Sequence, residues 1–160
     1  MPSEHRDIVE RLLDDHRRGL VLYARQWSGA AAEDVVQDAF LKLLTEIRRH
    51  HSLPDSPKAW LYRVVRNGAI DRQRKESRCR NDSEHLDDWF EPVADEPFDG
   101  EALTAALESL DADVREIIVA KIWSDLTFRE IAELTGRPIS SVHLDYQRGI
   151  ETLRRILAHG

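Results

Sequence analysis

Thr127-Phe128-Arg129-Glu130-Ile131-Ala132-Glu133-Leu134-Thr135-Gly136-Arg137-Pro138, running on into Ile139-Ser140-Ser141-Val142-His143-Leu144-Asp145-Tyr146-Gln147-Arg148-Gly149, fixes the kind of structure formed by the second half of the chain. Thr127 and Glu130 have capping-box spacing, in which the hydroxyl and the carboxylate each accept from the other residue's free backbone N–H. The short helix they open carries Ile131, Ala132 and Leu134. Thr135 to Pro138 is a turn, with Gly136 as its flexible point. Ser140 or Ser141 is expected to cap a final helix with Val142, Tyr146, Ile150, Leu153 and Leu157 inside. A short helix, a glycine turn and a longer helix form a helix-turn-helix, which lays its second helix in the DNA major groove. With those residues inside, His143, Leu144, Gln147 and Arg148 point outward. Gln suits adenine, and Arg suits guanine or phosphate. A helical hairpin without DNA affinity would share the same pattern.

Upstream of this unit, Leu103, Leu107 and Leu110 begin a helical stretch, and Ile117, Ile118 and Ile122 continue it after Asp111, an expected cap. Residues 79–100 hold no sustained period and contain Pro92, Pro97 and Gly100, the pattern of a linker. Trp89-Phe90 within it either packs on a domain surface or docks on a partner. The charge is uneven. Residues 1–81 carry 16 Lys and Arg against 12 Asp and Glu, whereas residues 82–101 carry nine acids and no Lys or Arg. The total of −7 over 160 residues therefore hides a basic region, densest between Arg63 and Arg80, followed by an acidic segment. Local charge, rather than the total, governs attraction to nucleic acid.

The first 78 residues also read as helices. Ile8, Leu12, Leu20, Tyr23 and Trp27 recur at helical spacing until Ser28-Gly29 breaks the pattern. Val36, Phe40, Leu43 and Ile47 mark the buried face of a second helix. Its opposite stripe is Asp34, Gln37, Asp38, Leu41 and Thr45, where an exposed Leu among acids points to a protein partner. His50 to Pro57 is a loop. Ser56-Pro57 has the form of an N-cap and a first-turn proline for a third helix through Trp60, Leu61, Val64 and Val65. That helix carries Arg66, Arg72, Arg74, Lys75 and Arg78, with Trp60 and Tyr62 before them. Cations beside aromatic rings suit single-stranded nucleic acid, although Trp60 fits a core position equally well. No strand pattern and no internal repeat occur.

Other function classes are poorly supported. No run of eighteen apolar residues exists, and Met1 to Glu10 lacks the apolar stretch of a secretory signal, so a cytoplasmic protein without membrane insertion is expected. The single cysteine, Cys79, excludes an internal disulfide. With His85 it offers too few ligands at motif spacing for a metal site. Scattered His and Asp supply no carboxylate–histidine spacing for a hydrolase, and no cofactor is expected.

Three stretches together resemble a known family. Ala32-Glu33-Asp34-Val35-Val36-Gln37-Asp38-Ala39-Phe40-Leu41 is similar to the core-binding helix of sigma factors. Ala59-Trp60-Leu61-Tyr62-Arg63-Val64-Val65-Arg66-Asn67-Gly68-Ala69-Ile70-Asp71-Arg72 is similar to the promoter-melting helix of the extracytoplasmic-function (ECF) group in the sigma-70 family. Ala106 to Leu110, Thr127 to Leu134 and the final helix resemble that group's promoter-reading domain. The resemblance implies an all-α fold of two small domains. Residues 1–78 would form a sigma-2-like bundle, 79–100 an acidic linker, and 101–160 a sigma-4-like helix-turn-helix domain.

It also implies roles. Asp34, Gln37, Asp38 and Leu41 would meet the coiled coil of the largest subunit of RNA polymerase core. The loop His50 to Pro57 would capture a base flipped from the −10 element. Arg63, Arg66, Asn67 and Arg74 would hold the separating strands. Ser140, Ser141, His143, Leu144, Gln147 and Arg148 would read the −35 element, and the acidic linker would thread the RNA exit path. Polymerase would do the chemistry, and an anti-sigma factor is an expected partner. Asp145 stands where the family commonly has a basic group, and would repel phosphate; Pro57 stands where an aromatic is common. The alternative is a sigma-like regulator that binds polymerase or an inhibitor without ordinary promoter recognition.

Overall fold

The computed structural model describes residues 3–79 and 100–159. The described residues form helices joined by short turns and loops: α1 (Ser3–Ser28), α2 (Ala32–His50), α3 (Pro57–Cys79), α4 (Gly100–Glu108), α5 (Ala112–Ile122), α6 (Phe128–Thr135) and α7 (Ile139–His159), with a 3-10 turn at Gly29–Ala31. They fall into two compact units, α1–α3 and α4–α7. Most of the segment expected to link the domains, with Trp89-Phe90, lies outside the described residues; Cys79 ends α3 and Gly100 opens α4.

In the first unit each helix boundary has a local cause. α1 stops where Gly29 takes φ +51°, a left-handed conformation that costs glycine little. α2 has Glu33 and Asp34 in its first turn and Arg48, Arg49 and His50 in its last, matching the helix dipole at both ends. His51 turns left-handed (φ 55°) and its N–H donates to Ile47 C=O at 2.7 Å, closing the helix. Pro57 opens α3 after Ser56, whose hydroxyl accepts from Ala59 N–H at 3.4 Å, a long bond that makes only a weak cap.

The helices meet along their apolar faces, and α1 packs on both α2 and α3. Leu20, Tyr23, Leu43, Ile47, Leu61, Tyr62 and Val65 are almost fully enclosed. Burying such a side chain stabilises by roughly 1.5–3 kcal/mol, so this seam holds the unit together. Tyr23 lies edge-on to Trp27 at 5.1 Å and to Tyr62 at 5.3 Å. Tyr62, 1% exposed, is therefore core and cannot serve as a base-stacking surface; Trp60 is half-buried.

In the second unit Leu103, Leu107, Ile117, Ile118, Leu126, Ile131, Val142 and Leu153 form the core. Asp111 stands at the N-cap of α5, but its side chain accepts no cap hydrogen bond. The α6 capping box is complete: Thr127 N–H donates to Glu130 Oε1 at 3.0 Å, and Glu130 N–H to Thr127 Oγ1 at 3.1 Å. Gly136 caps α6 at φ 72°. Neither Ser140 nor Ser141 caps α7. The helix already begins at Ile139, and Val142 N–H donates to Pro138 C=O at 3.1 Å, so both serines lie in its first turn. The inner stripe of α7 also departs from expectation at its end, because Gly149 is buried and Leu157 is exposed. Gly149 sits against α5, and its lack of a side chain lets the helices approach closely.

Candidate functional site

Two separate surfaces emerge in the first unit. On α2, Val36, Phe40, Leu43 and Ile47 are buried, which turns Asp34, Gln37, Asp38 and Leu41 to solvent as one stripe. Leu41 is 54% exposed, a large apolar side chain left open among polar neighbours. None of the four takes part in an ion pair or hydrogen bond through its side chain among the described residues. Such a stripe has its donors, acceptors and apolar area available for a partner.

The second surface follows α3. Arg63, Asn67 and Arg74 are exposed and recur at spacings of four and seven, which places them on one face. Arg66 is half-buried, its guanidinium over the Trp27 ring at 5.9 Å, so a ring of α1 steers this cation. Two further cations are occupied within the helix: Lys75 pairs with Asp71 at 3.1 Å and Arg72 with Glu76 at 3.6 Å. Arg63 and Arg74 make no ion pair among the described residues. Arg63 and Arg74, which share a face with Asn67, are thus free of carboxylates among the described residues.

The second unit carries a third surface. Ser140, His143, Leu144, Gln147 and Arg148 are exposed on the first half of α7, while Ser141 is half-buried. Leu144 is 46% exposed. His143 stacks on Phe128 of α6, the rings 4.0 Å apart at 39°, and Lys121 lies over the same Phe128 ring at 4.7 Å. Tyr146 meets Phe128 edge-on at 5.2 Å. The imidazole is consequently held against a hydrophobic support rather than left free to swing. Arg137, in the turn, donates to the carboxylate of Asp145.

In the sequence Phe128 belongs to a helix start, Trp27 to a series at helical spacing and Arg137 to a turn. Their contacts with His143, Arg66 and Asp145 join residues on different elements, so no short-range spacing rule would have found them. The opposite charges of Arg137 and Asp145 were the only available signal.

Residues 12–79 match the family model described as Sigma-70 region 2, and residues 100–153 the one described as Sigma-70, region 4. The chain belongs to the sigma-70 family of transcription initiation factors. Within that family it falls in the ECF group. It is 27% identical over 123 residues to RNA polymerase sigma factor SigV of Bacillus subtilis (strain 168), covering 77% of this chain and 74% of that one. It is 28% identical over 158 residues to ECF RNA polymerase sigma factor SigL of Mycobacterium tuberculosis, covering 94% and 89%. Among solved structures, the sigma factor RpoE in complex with the anti-sigma factor NepR from Bartonella quintana aligns with a TM-score of 0.79 at 24% identity, covering 95% of this chain and 97% of that one. This last likeness concerns the fold. No helix among the described residues is long and apolar enough to cross a membrane.

Proposed function

We propose that this chain binds RNA polymerase core and directs it to promoters, with each of the three surfaces taking one task. The α2 stripe of Asp34, Gln37, Asp38 and Leu41 docks on the coiled coil of the largest polymerase subunit. The face of α3 holding Arg63, Asn67 and Arg74, with Arg66 beside it, neutralises phosphates of the strands separating at the −10 element. The loop from His50 to Pro57 receives a base turned out of the stack. The exposed face of α7 reads the −35 element through Ser140, Ser141, His143, Leu144, Gln147 and Arg148.

The single observation that carries this reading is that the helix-turn-helix closes as such units do, with a capped α6, a left-handed Gly136 and a polar front on α7. Its order in the chain, after a region 2 match, supports the division of labour. The NepR complex of the structural relative supports a further partner, an anti-sigma factor, for this chain.

Arg148 supplies the test. It is the one Arg or Lys exposed on the first half of α7. Transcription by reconstituted holoenzyme is compared on two templates, one native and one with a scrambled −35 element. We predict that Arg148→Ala costs about 1–3 kcal/mol at the native −35 element, the size of one good base contact, while core binding is unchanged. A mutant that separates the two templates as well as wild type does would remove Arg148 as a reader. Wild-type protein that binds core yet initiates at neither template would favour a regulator without ordinary promoter recognition.

A further inference from the structure

Asp145 is a carboxylate on the first half of the helix assigned to promoter reading, where negative charge opposes the approach of phosphate. The structure gives that charge an internal partner. Asp145 Oδ2 accepts from Arg137 Nη2, in the turn just before α7. The two side chains are 28% and 17% exposed, so the pair is largely withdrawn from water. The turn is built to return Arg137 toward the helix. Gly136 N–H donates to Ala132 C=O at 2.9 Å, and Arg137 N–H to the same carbonyl at 3.2 Å. Arg137 Nη1 is buried with no acceptor, which leaves Asp145 as the carboxylate this guanidinium serves.

Arg148 lies three residues after Asp145, and residues three apart on a helix are side-chain neighbours. Arg148 is exposed and makes no ion pair among the described residues; Glu151, three residues further on, is also exposed and does not pair with it. Were Arg137 absent, Asp145 would be released beside the reading face, with Arg148 as its nearest cation on the helix. Two losses would follow together: a bare negative charge near phosphate, and an internal partner for the cation meant for DNA.

We propose that Arg137 is a positioning residue for promoter reading, masking Asp145 and thereby keeping Arg148 free for the duplex. This rests on the reading of α7 as the −35 helix. It predicts an unusual order among variants. A plain structural brace breaks equally whichever partner is removed. A mask fails only when Arg137 is lost and Asp145 stays.

The test uses holoenzyme reconstituted with wild type, Arg137→Ala, Asp145→Ala and the double variant. The probe is a duplex carrying the −35 element that wild-type holoenzyme selects, with a scrambled duplex as control, at two salt concentrations. Arg137→Ala should lose roughly tenfold in affinity for the native duplex, more at low salt, as expected for a charge effect. Asp145→Ala should bind at least as well as wild type. The double variant should return to within about threefold of wild type, a non-additivity that reports the coupling. If Arg137→Ala does not fold, Asp145→Ala still decides, because a brace requires it to bind more weakly. A double variant as weak as Arg137→Ala overturns the masking while leaving the reading of α7 intact. Wild type that ignores the scramble overturns the reading of α7 and the proposal with it.

Discussion

Gly149 lies in the middle of α7, where a glycine is ordinarily a poor helix former. A Cβ built there would stand 2.7 Å from Val114 Cγ1 and 2.9 Å from Ile118 Cδ1. Ile118 is fully enclosed and has little room to yield. We predict that Gly149→Ala destabilises the second unit by about 1–3 kcal/mol despite the gain in helix propensity, the usual cost of overpacking a core. Urea unfolding followed by the helix signal checks this; a rise in midpoint would mean that α5 and α7 separate cheaply. The glycine's purpose could not be read in the sequence, because its neighbours are set by how α7 crosses α5. Arg137 was opaque for the same reason, since its partner lies eight residues on, across a turn. Thr127 and Glu130 were legible because a capping box depends only on a local spacing, and the hydrogen bonds found are the ones that spacing implies.

At the scale of helices, amphipathic spacing located α2 well. Val36, Phe40, Leu43 and Ile47 are all buried, and Asp34, Gln37, Asp38, Leu41 and Thr45 are all exposed. Ala32, Val35 and Ala39 are buried as well, widening the inner face beyond those four residues. α3 was harder. Its polar second half dilutes the apolar period, and Tyr62, whose ring fits either a core or a nucleic-acid surface, is claimed by Tyr23. Two serines that look like caps point to a later start for α7 than the structure has, because the turn lets Ile139 enter the helix first. Since the outer stripe of α2 carries no packing, its loss should leave the fold alone. We predict that Gln37→Ala combined with Asp38→Ala weakens binding to core polymerase at least several-fold, with less than about 0.5 kcal/mol change in stability. Titration of labelled core reads the first and thermal unfolding the second. Unaltered affinity would move the interface off this stripe.

For the whole chain, charge distribution matters more than net charge. The total of −7 predicts weak attraction to DNA, yet α3 presents Arg63 and Arg74 to solvent without carboxylate partners among the described residues. The nine acids between positions 82 and 101 follow directly on the basic end of α3 in sequence. Covalent attachment alone gives them a high effective concentration at that helix, on the order of millimolar for a short connection, whatever path the chain takes. At low ionic strength, where the screening length reaches tens of ångströms, acids tethered this closely compete with phosphate for the same cations. Bound to polymerase, the chain would meet other charges, and the competition would change with its surroundings. We therefore predict that deleting residues 82–99 raises the affinity of the free protein for duplex of random sequence, several-fold at low salt and little near physiological salt. The measurement is a salt series of fluorescence-anisotropy titrations on both proteins. A competing explanation, that the deletion merely exposes apolar surface, predicts a gain that survives salt. Equal affinities for the two proteins at low salt would show that the acidic segment does not shield α3, and weak DNA binding by free protein would then have to come from how few unpaired cations α3 and α7 present.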